Sequence, residues 1–227
     1  MRIFRSLIFY CIFYFWTVFF FFIFSPIKFF SRKQALAISG FWIRTIMGLS
    51  KWILLINYQT KGIENLPKEQ FIVASNHQSA WETFYLPLLF RNYVFVLKKD
   101  LIRIPLLNLF FAKLGFIFVD KNENYSSMKS LLRHSKDRIS EGVGAIIIFP
   151  EGTRVKPGVK KKLSPGVAAL YKSLNLPVLP VKHDSGKFWL NKKILKNKGK
   201  ITIEIFPPIK PGLKKENLMN KLENLIQ

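Results

Sequence analysis

From Leu7 to Phe24 the chain reads LIFYCIFYFWTVFFFFIF, 18 residues without a charge. As a helix rising ~1.5 Å per residue, this run is about 27 Å long, just enough for a hydrocarbon core near ~30 Å. A helix in the core of a soluble protein would need a polar face, and this run has none. A signal peptide is the competing reading: Arg2 and Arg5 supply its charged start, and Ala35-Leu36-Ala37 resembles a cleavage site. That triplet lies beyond Lys28, Arg32 and Lys33, too far past the apolar run. The segment is therefore read as an uncleaved anchor.

The stretch over about 32–56 is apolar but punctuated. Lys33, Arg44 and Lys51 recur at intervals close to whole helical turns. They draw one basic stripe along a helix otherwise rich in Ile and Leu, with Phe41, Trp42 and Trp52. Such a helix suits the headgroup layer, with cations toward anionic lipid and Trp at the interface. A second, poor transmembrane span is the alternative. Two arginines precede the first segment while Lys28, Arg32 and Lys33 follow it, so the charge bias puts the rest of the chain in the cytoplasm.

Beyond residue 56, short β-branched runs alternate with helical patterns. Strands are expected at Phe71–Ser75, Tyr93–Leu97, Phe116–Val119, Ala145–Phe149, Val178–Val181 and Ile201–Phe206. Helices are expected near 79–90, 106–114, 123–141, 166–174 and 214–226. This order predicts an α/β domain over 57–227, with a mostly parallel central sheet flanked by helices, preceded by an N-terminal membrane anchor over 1–56. A single cysteine, Cys11, excludes a disulfide scaffold and a cysteine-based zinc site. The formal charge of +23 points to an anionic surface or substrate. Its densest run is Lys187, Lys192, Lys193, Lys196, Lys198 and Lys200. By charge alone nucleic acid is as good a partner as membrane, and the apolar N-terminus decides for membrane.

The polar residues most unlike their surroundings each follow a strand: Asn76-His77, Asp120-Lys121, Glu151-Gly152-Thr153-Arg154 and Lys182-His183-Asp184. Ligands of open α/β sheets bind beyond the carboxyl ends of the strands, so four separated segments are expected to meet in one cleft. The chain has no G-x-S-x-G elbow, no G-x-x-x-x-G-K-[ST] loop, no G-x-G-x-x-G and no H-E-x-x-H. The three histidines are too scattered to suggest a metal site.

In Asn76-His77-Gln78-Ser79-Ala80-Trp81-Glu82, a carboxylate in the first helical turn can reach back to the imidazole. It would fix the tautomer and leave the other ring nitrogen as a general base. The same spacing makes Ser79-x-x-Glu82 a capping box, in which Glu82 serves only the helix start; spacing alone favours the cap. Glu151-Gly152-Thr153-Arg154 offers a glycine for close approach, a hydroxyl and a guanidinium suited to phosphate. An ordinary loop with a Glu151–Arg154 ion pair is its plainer reading. Asp120-Lys121 would add a cation or stand as a solvated pair. His183 is a rival base, and His134 reads as a surface residue.

Taken in order, NHQSAWE, GFIFVDK, FPEGTR and LPVLPV resemble the four blocks of the glycerolipid acyltransferase family, nearest its bacterial lysophosphatidate acyltransferases. The match runs from about Phe71 to Val181. The resemblance implies transfer of a fatty acyl group from a thioester, acyl-CoA or acyl carrier protein, to the 2-hydroxyl of lysophosphatidate, giving phosphatidate for phospholipid synthesis. His77 would be the base and Glu82 its orienting partner. Glu151, Gly152, Thr153 and Arg154 would hold the glycerol phosphate with help from Lys121, and Pro180 would shape the acyl-donor side. It implies no cofactor, no metal and no covalent acyl-enzyme, and no nucleic acid partner. It also places the chain at a bacterial inner membrane with its catalytic domain on the cytoplasmic face. Glu82 stands where the family usually has Asp, and Lys121 where it often has Arg. The competing reading is another lysolipid acceptor, or a non-enzymatic membrane-tethered binder of anionic ligands resting on the lysine run.

Overall fold

The computed structural model describes residues 1–120 and 125–227. Two long helices come first, α1 (Arg2–Ile23) and α2 (Arg32–Trp52). Ser31 starts α2 with a full capping box: its hydroxyl accepts from the Gln34 N–H, and the Gln34 side chain accepts from the Ser31 N–H. The expected helix over 32–56 stops at Trp52, because Ile56 opens a strand.

The strands are β1 (Ile56–Lys61), β2 (Phe71–Ser75), β3 (Tyr93–Lys98), β4 (Ile117–Val119), β5 (Ala145–Ile148), β6 (Val178–His183) and β7 (Gly199–Ile205). Between and after them lie α3 (Trp81–Leu89), α4 (Leu107–Leu114), α5 (Tyr125–Ser140), α6 (Gly166–Leu174) and α7 (Lys215–Ile226). One seven-stranded sheet runs in the order β1-β7-β6-β2-β5-β3-β4. Every neighbouring pair is parallel except β6 with β7.

The central strands β2 and β5 are buried along their whole length because both faces of the sheet are covered there, whereas β7 alternates buried and half-exposed residues. Successive residues point to opposite faces. Val73, Ala145, Ile147, Leu179 and Val181 therefore face the layer containing α1 to α4, while Ile72, Val94, Ile146, Ile148 and Val178 face α5, α6 and α7.

The first of these layers includes the membrane-like helices themselves. α1 touches the rest of the protein along its whole length. The Ser6 hydroxyl accepts from the Lys196 N–H at 3.0 Å, Phe9 meets Trp189, and Phe13 meets Phe84. Further along, Trp16 donates to the Thr45 hydroxyl at 2.8 Å and Phe21 meets Phe110. Its opposite face leaves Phe4, Phe15, Val18 and Phe22 exposed, Phe15 by 74%. On α2 the cations Lys33, Arg44 and Lys51 are exposed with Phe41 and Trp52, as the basic stripe predicts, whereas Trp42, expected at the interface, is buried with Ile46 and Met47 against the body. Arg32 fastens the start of α2 to the body through the Leu114 and Tyr93 carbonyls and the Asn92 side chain. Lys196 stands apart from the exposed lysines of the 187–200 run. It is buried between the Tyr10 and Trp189 rings, and its ammonium donates to the Leu190 and Lys193 carbonyls.

Candidate active site

β2 lies between β6 and β5, so the segments leaving the carboxyl ends of these three strands are neighbours. Three of the four predicted segments meet there. The fourth, after β4, leaves the sheet two strands beyond β5, where Asp120 is exposed; Lys121 lies outside the described residues. Beside Asp120, a cavity of about 250 Å³ is lined also by Lys99, Asp100, Ile102 and Arg103 from the turn after β3.

His77 sits in the link between β2 and α3, with its ring stacked on Phe149 at 4.2 Å between centroids. Its Nδ1 bonds Glu82 Oε1 at 2.9 Å. Nε2 has no hydrogen-bond partner among the described residues. Glu82 is 1% exposed and surrounded by donors. Oε1 also accepts from the Gln78 and Ser79 N–H groups at 2.8 and 2.7 Å, and Oε2 accepts from the Ser79 and Ser185 hydroxyls. Glu82 Oε1 therefore both receives the backbone of the chain entering α3 and meets the imidazole, so it does not serve the helix start alone; the Ser79 hydroxyl accepts from the Trp81 N–H and the capping box stays half made.

Burial alone would raise the Glu82 pKa, but the His183 and His77 rings and the Ser79 hydroxyl outweigh it and hold the carboxyl well below the ordinary range. An ionised Glu82 accepts the ring hydrogen bond from Nδ1–H, the tautomer of the imidazole that presents its lone pair at Nε2. That is the arrangement of a general base whose conjugate acid has a fixed counter-charge.

His183 does not compete for this role. It is buried, its Nε2 bonds the Asn76 carbonyl at 2.8 Å, and the Asn76 amide pairs with both backbone groups of His183. Burial pushes its pKa down, against the pull of the Glu82 charge 3.9 Å away. Asp184 turns away, accepting from the Thr202 N–H at 2.9 Å.

The second block is divided between interior and surface. Glu151 is buried, and its Oε2 accepts from the His77 N–H at 2.9 Å. The Val155 N–H returns a bond to the His77 carbonyl at 2.7 Å, so the loop straps the histidine from both sides. Gly152, at φ +64°, turns the chain through a position that disfavours a side chain. Thr153 and Arg154 then emerge exposed. Arg154 points to Asn191 at 3.3 Å, not to Glu151, so the plain ion-pair reading fails. Pro180 is buried in β6 opposite Ala74.

Residues 57–184 match the model of the family described as Acyltransferase. The chain belongs to that family. The acyltransferase is 33% identical over 192 residues to the 1-acyl-sn-glycerol-3-phosphate acyltransferase of Pseudomonas aeruginosa, covering 85% of this chain and 74% of that one. It is 28% identical over 197 residues to the protein of the same name from Borreliella burgdorferi, covering 83% and 78%. The crystal structure of a 1-acyl-sn-glycerophosphate acyltransferase from Thermotoga maritima superposes with a TM-score of 0.80 at 24% identity, over 100% of this chain and 95% of that one, and shares the fold.

Ser185 and Asn191 are absent from the sequence reading of the acyltransferase site. Each acts across more than 35 positions of sequence on a partner that no local spacing connects to it, so only the folded chain reveals them.

Burial pushes the Glu151 carboxyl up to about 7, and the nearby Glu82 charge adds to the rise, against the bond from the His77 backbone. A raised folded pKa gives stability that is present below the ordinary 4.5 and is lost as pH rises through about 7. Glu151→Gln keeps the shape without the ionisation. The difference in Tm between Glu151→Gln and the parent is therefore expected to grow more positive from pH 5 to pH 8; a difference that stays flat would contradict the assignment.

Proposed function

We propose that this acyltransferase moves a fatty acyl group from a thioester, acyl-CoA or acyl carrier protein, to the 2-hydroxyl of lysophosphatidate, forming phosphatidate for phospholipid synthesis. The observation that carries the reading is His77, with Nδ1 on a buried, ionised Glu82 and Nε2 without a hydrogen-bond partner among the described residues. His77 Nε2 takes the hydroxyl proton as the oxygen attacks the thioester carbonyl carbon. The carbon–sulfur bond breaks, and the imidazolium returns the proton to the departing thiolate, leaving an ester and a free thiol. Glu82 stabilises the imidazolium between these events.

Arg154 and Thr153, exposed beside the dyad on the turn made by Gly152, receive the glycerol phosphate. Arg grips phosphate through paired hydrogen bonds, and Lys121 supplies a further cation. Glu151 spends one oxygen on the His77 backbone and offers the other to the glycerol. Pro180, being buried, acts on the acyl-donor side only through the course of β6.

Residues 1–56 serve as the membrane anchor and 57–227 as the catalytic domain. α1 is long and apolar enough to cross a membrane. Its contacts with the body extend from Ser6 to Phe21, and a helix standing across the bilayer would carry the catalytic layer in with it. This supports α1 lying in one leaflet, outward face to lipid, with the exposed cations and Trp52 of α2 at the headgroups. The reading puts the site at the cytoplasmic face of a bacterial inner membrane.

Acceptor choice tests the headgroup assignment. Arg154 is exposed, so its loss costs little stability, while a charge-assisted contact is worth about 1.5–3 kcal/mol. Arg154→Ala is expected to raise the KM for lysophosphatidate by about 10- to 100-fold and to leave the KM for a monoacylglycerol unchanged. Equal changes for both acceptors would place the phosphate elsewhere.

A further inference from the structure

Glu82 Oε2 is held by two hydroxyls from distant parts of the chain. Ser79 lies three residues before it; Ser185 comes from the turn after β6, 103 positions away. The two serine oxygens are 2.8 Å apart and both residues are fully buried. The Trp81 N–H already donates to Ser79 Oγ, so the hydroxyl hydrogen of Ser79 is free to point at the carboxylate. Two hydroxyl hydrogens thus face an oxygen with no other donor among the described residues, and they favour its charged form.

The turn carrying Ser185 is itself clamped to the histidine loop. The Gly186 N–H donates to the Gln78 side chain at 3.0 Å. A Cβ on Gly186 would come within 2.9 Å of Gln78 Cβ and 3.0 Å of Pro157, so only glycine lets the turn lie this close. On its other side Ser185 follows the buried His183, locked to Asn76. The Ser185 hydroxyl is thereby aimed by backbone on two sides at one carboxylate oxygen.

We propose that Ser185 is a positioning residue of the acyl transfer reaction, acting through Glu82 to keep the His77 imidazole oriented and its counter-charge in place. The proposal rests on His77 and Glu82 being the catalytic pair. It assigns a task to the segment after the fourth sequence block, which otherwise has none: β6 delivers a hydroxyl to the dyad.

The test is a double-mutant cycle on the full chain in detergent–phospholipid micelles, using lysophosphatidate and oleoyl-CoA. Ser185→Ala is expected to lower kcat about 10-fold with the acceptor KM changed less than 2-fold, since Ser185 touches neither substrate. In a Glu82→Gln background the same substitution is expected to cost less than 2-fold, because the charge it serves is gone. Additive losses, or a loss expressed in KM, would reduce Ser185 to a packing residue and overturn the proposal. If Ser185→Ala does not fold, Ser185→Cys keeps the volume with a weaker donor and is expected to lose about 3-fold in kcat; full activity there overturns the proposal equally. His77→Ala in the same assay separates the two levels. An active His77→Ala removes the catalytic pair itself, whereas an inactive His77→Ala beside a fully active Ser185→Ala removes only the role of Ser185.

Discussion

Replacing His77 with alanine is expected to lower kcat for acyl transfer by about 10³-fold, within the range a positioned general base supplies, while the protein keeps its fold. The backbone explains why these separate. The His77 N–H bond to Glu151 and the carbonyl bond from Val155 belong to the main chain and survive in alanine. Glu82 loses one donor and keeps the two N–H groups and two hydroxyls. The stability cost is then one hydrogen bond to a carboxylate and one ring contact with Phe149, about 2–4 kcal/mol. On the proposed reading membrane binding belongs to the outer faces of α1 and α2, and it is expected to be unaffected. Loss of activity together with loss of a cooperative thermal transition would mean that the histidine is structural.

Glu82→Gln is the second large effect, expected at about 10²-fold in kcat. An amide fits the same space in one orientation only. Its carbonyl must replace Oε1, where three N–H donors converge, and its NH₂ must face the Ser79 and Ser185 hydroxyls, which can rotate to accept. The imidazole keeps its tautomer, so ground-state geometry is preserved. What disappears is the negative charge that stabilises the imidazolium, and the loss falls on kcat with little change in KM. Glu82→Ala would instead leave several buried donors unpaired, at about 1–3 kcal/mol each, and report on folding more than on catalysis. A Glu82→Gln protein with parental kcat would show that the carboxylate only caps the chain entering α3.

The sheet was legible because its inner strands are covered on both faces. FIVAS and AIII are runs that no half-exposed strand would show, whereas β7 was legible from the alternation of ITIEI, which buries only one face. β1 escaped because INYQTK is an edge strand of mixed polarity directly behind an amphipathic helix. The apolar run of α1 announced a membrane helix but concealed its packing. A segment that is apolar all round carries no periodicity to say that Phe9, Phe13 and Phe21 point inward and Phe15 and Phe22 outward.

At the site, the residue types and their strand-end positions were readable, since topology follows from strand order. The connections between them were not. Spacing could not show that Glu82 serves cap and imidazole together, nor that Glu151 turns inward while Arg154 turns outward. Lys196 is the reverse case. A lysine in a lysine-rich run reads as solvated, and only the aromatic pair of Tyr10 and Trp189 makes a buried site for it.

The central claim is that the chain esterifies the 2-hydroxyl of lysophosphatidate. The most direct measurement supplies the purified protein in phospholipid micelles with 1-oleoyl lysophosphatidate and an isotopically labelled acyl thioester, as acyl-CoA and as acyl carrier protein in separate reactions. The product is then identified by mass and by position of the label. The account predicts labelled phosphatidate carrying the new chain at the 2-position, formed from at least one donor and abolished by His77→Ala. Label appearing as free fatty acid, on another lysolipid in preference to lysophosphatidate, or undiminished in His77→Ala would contradict it.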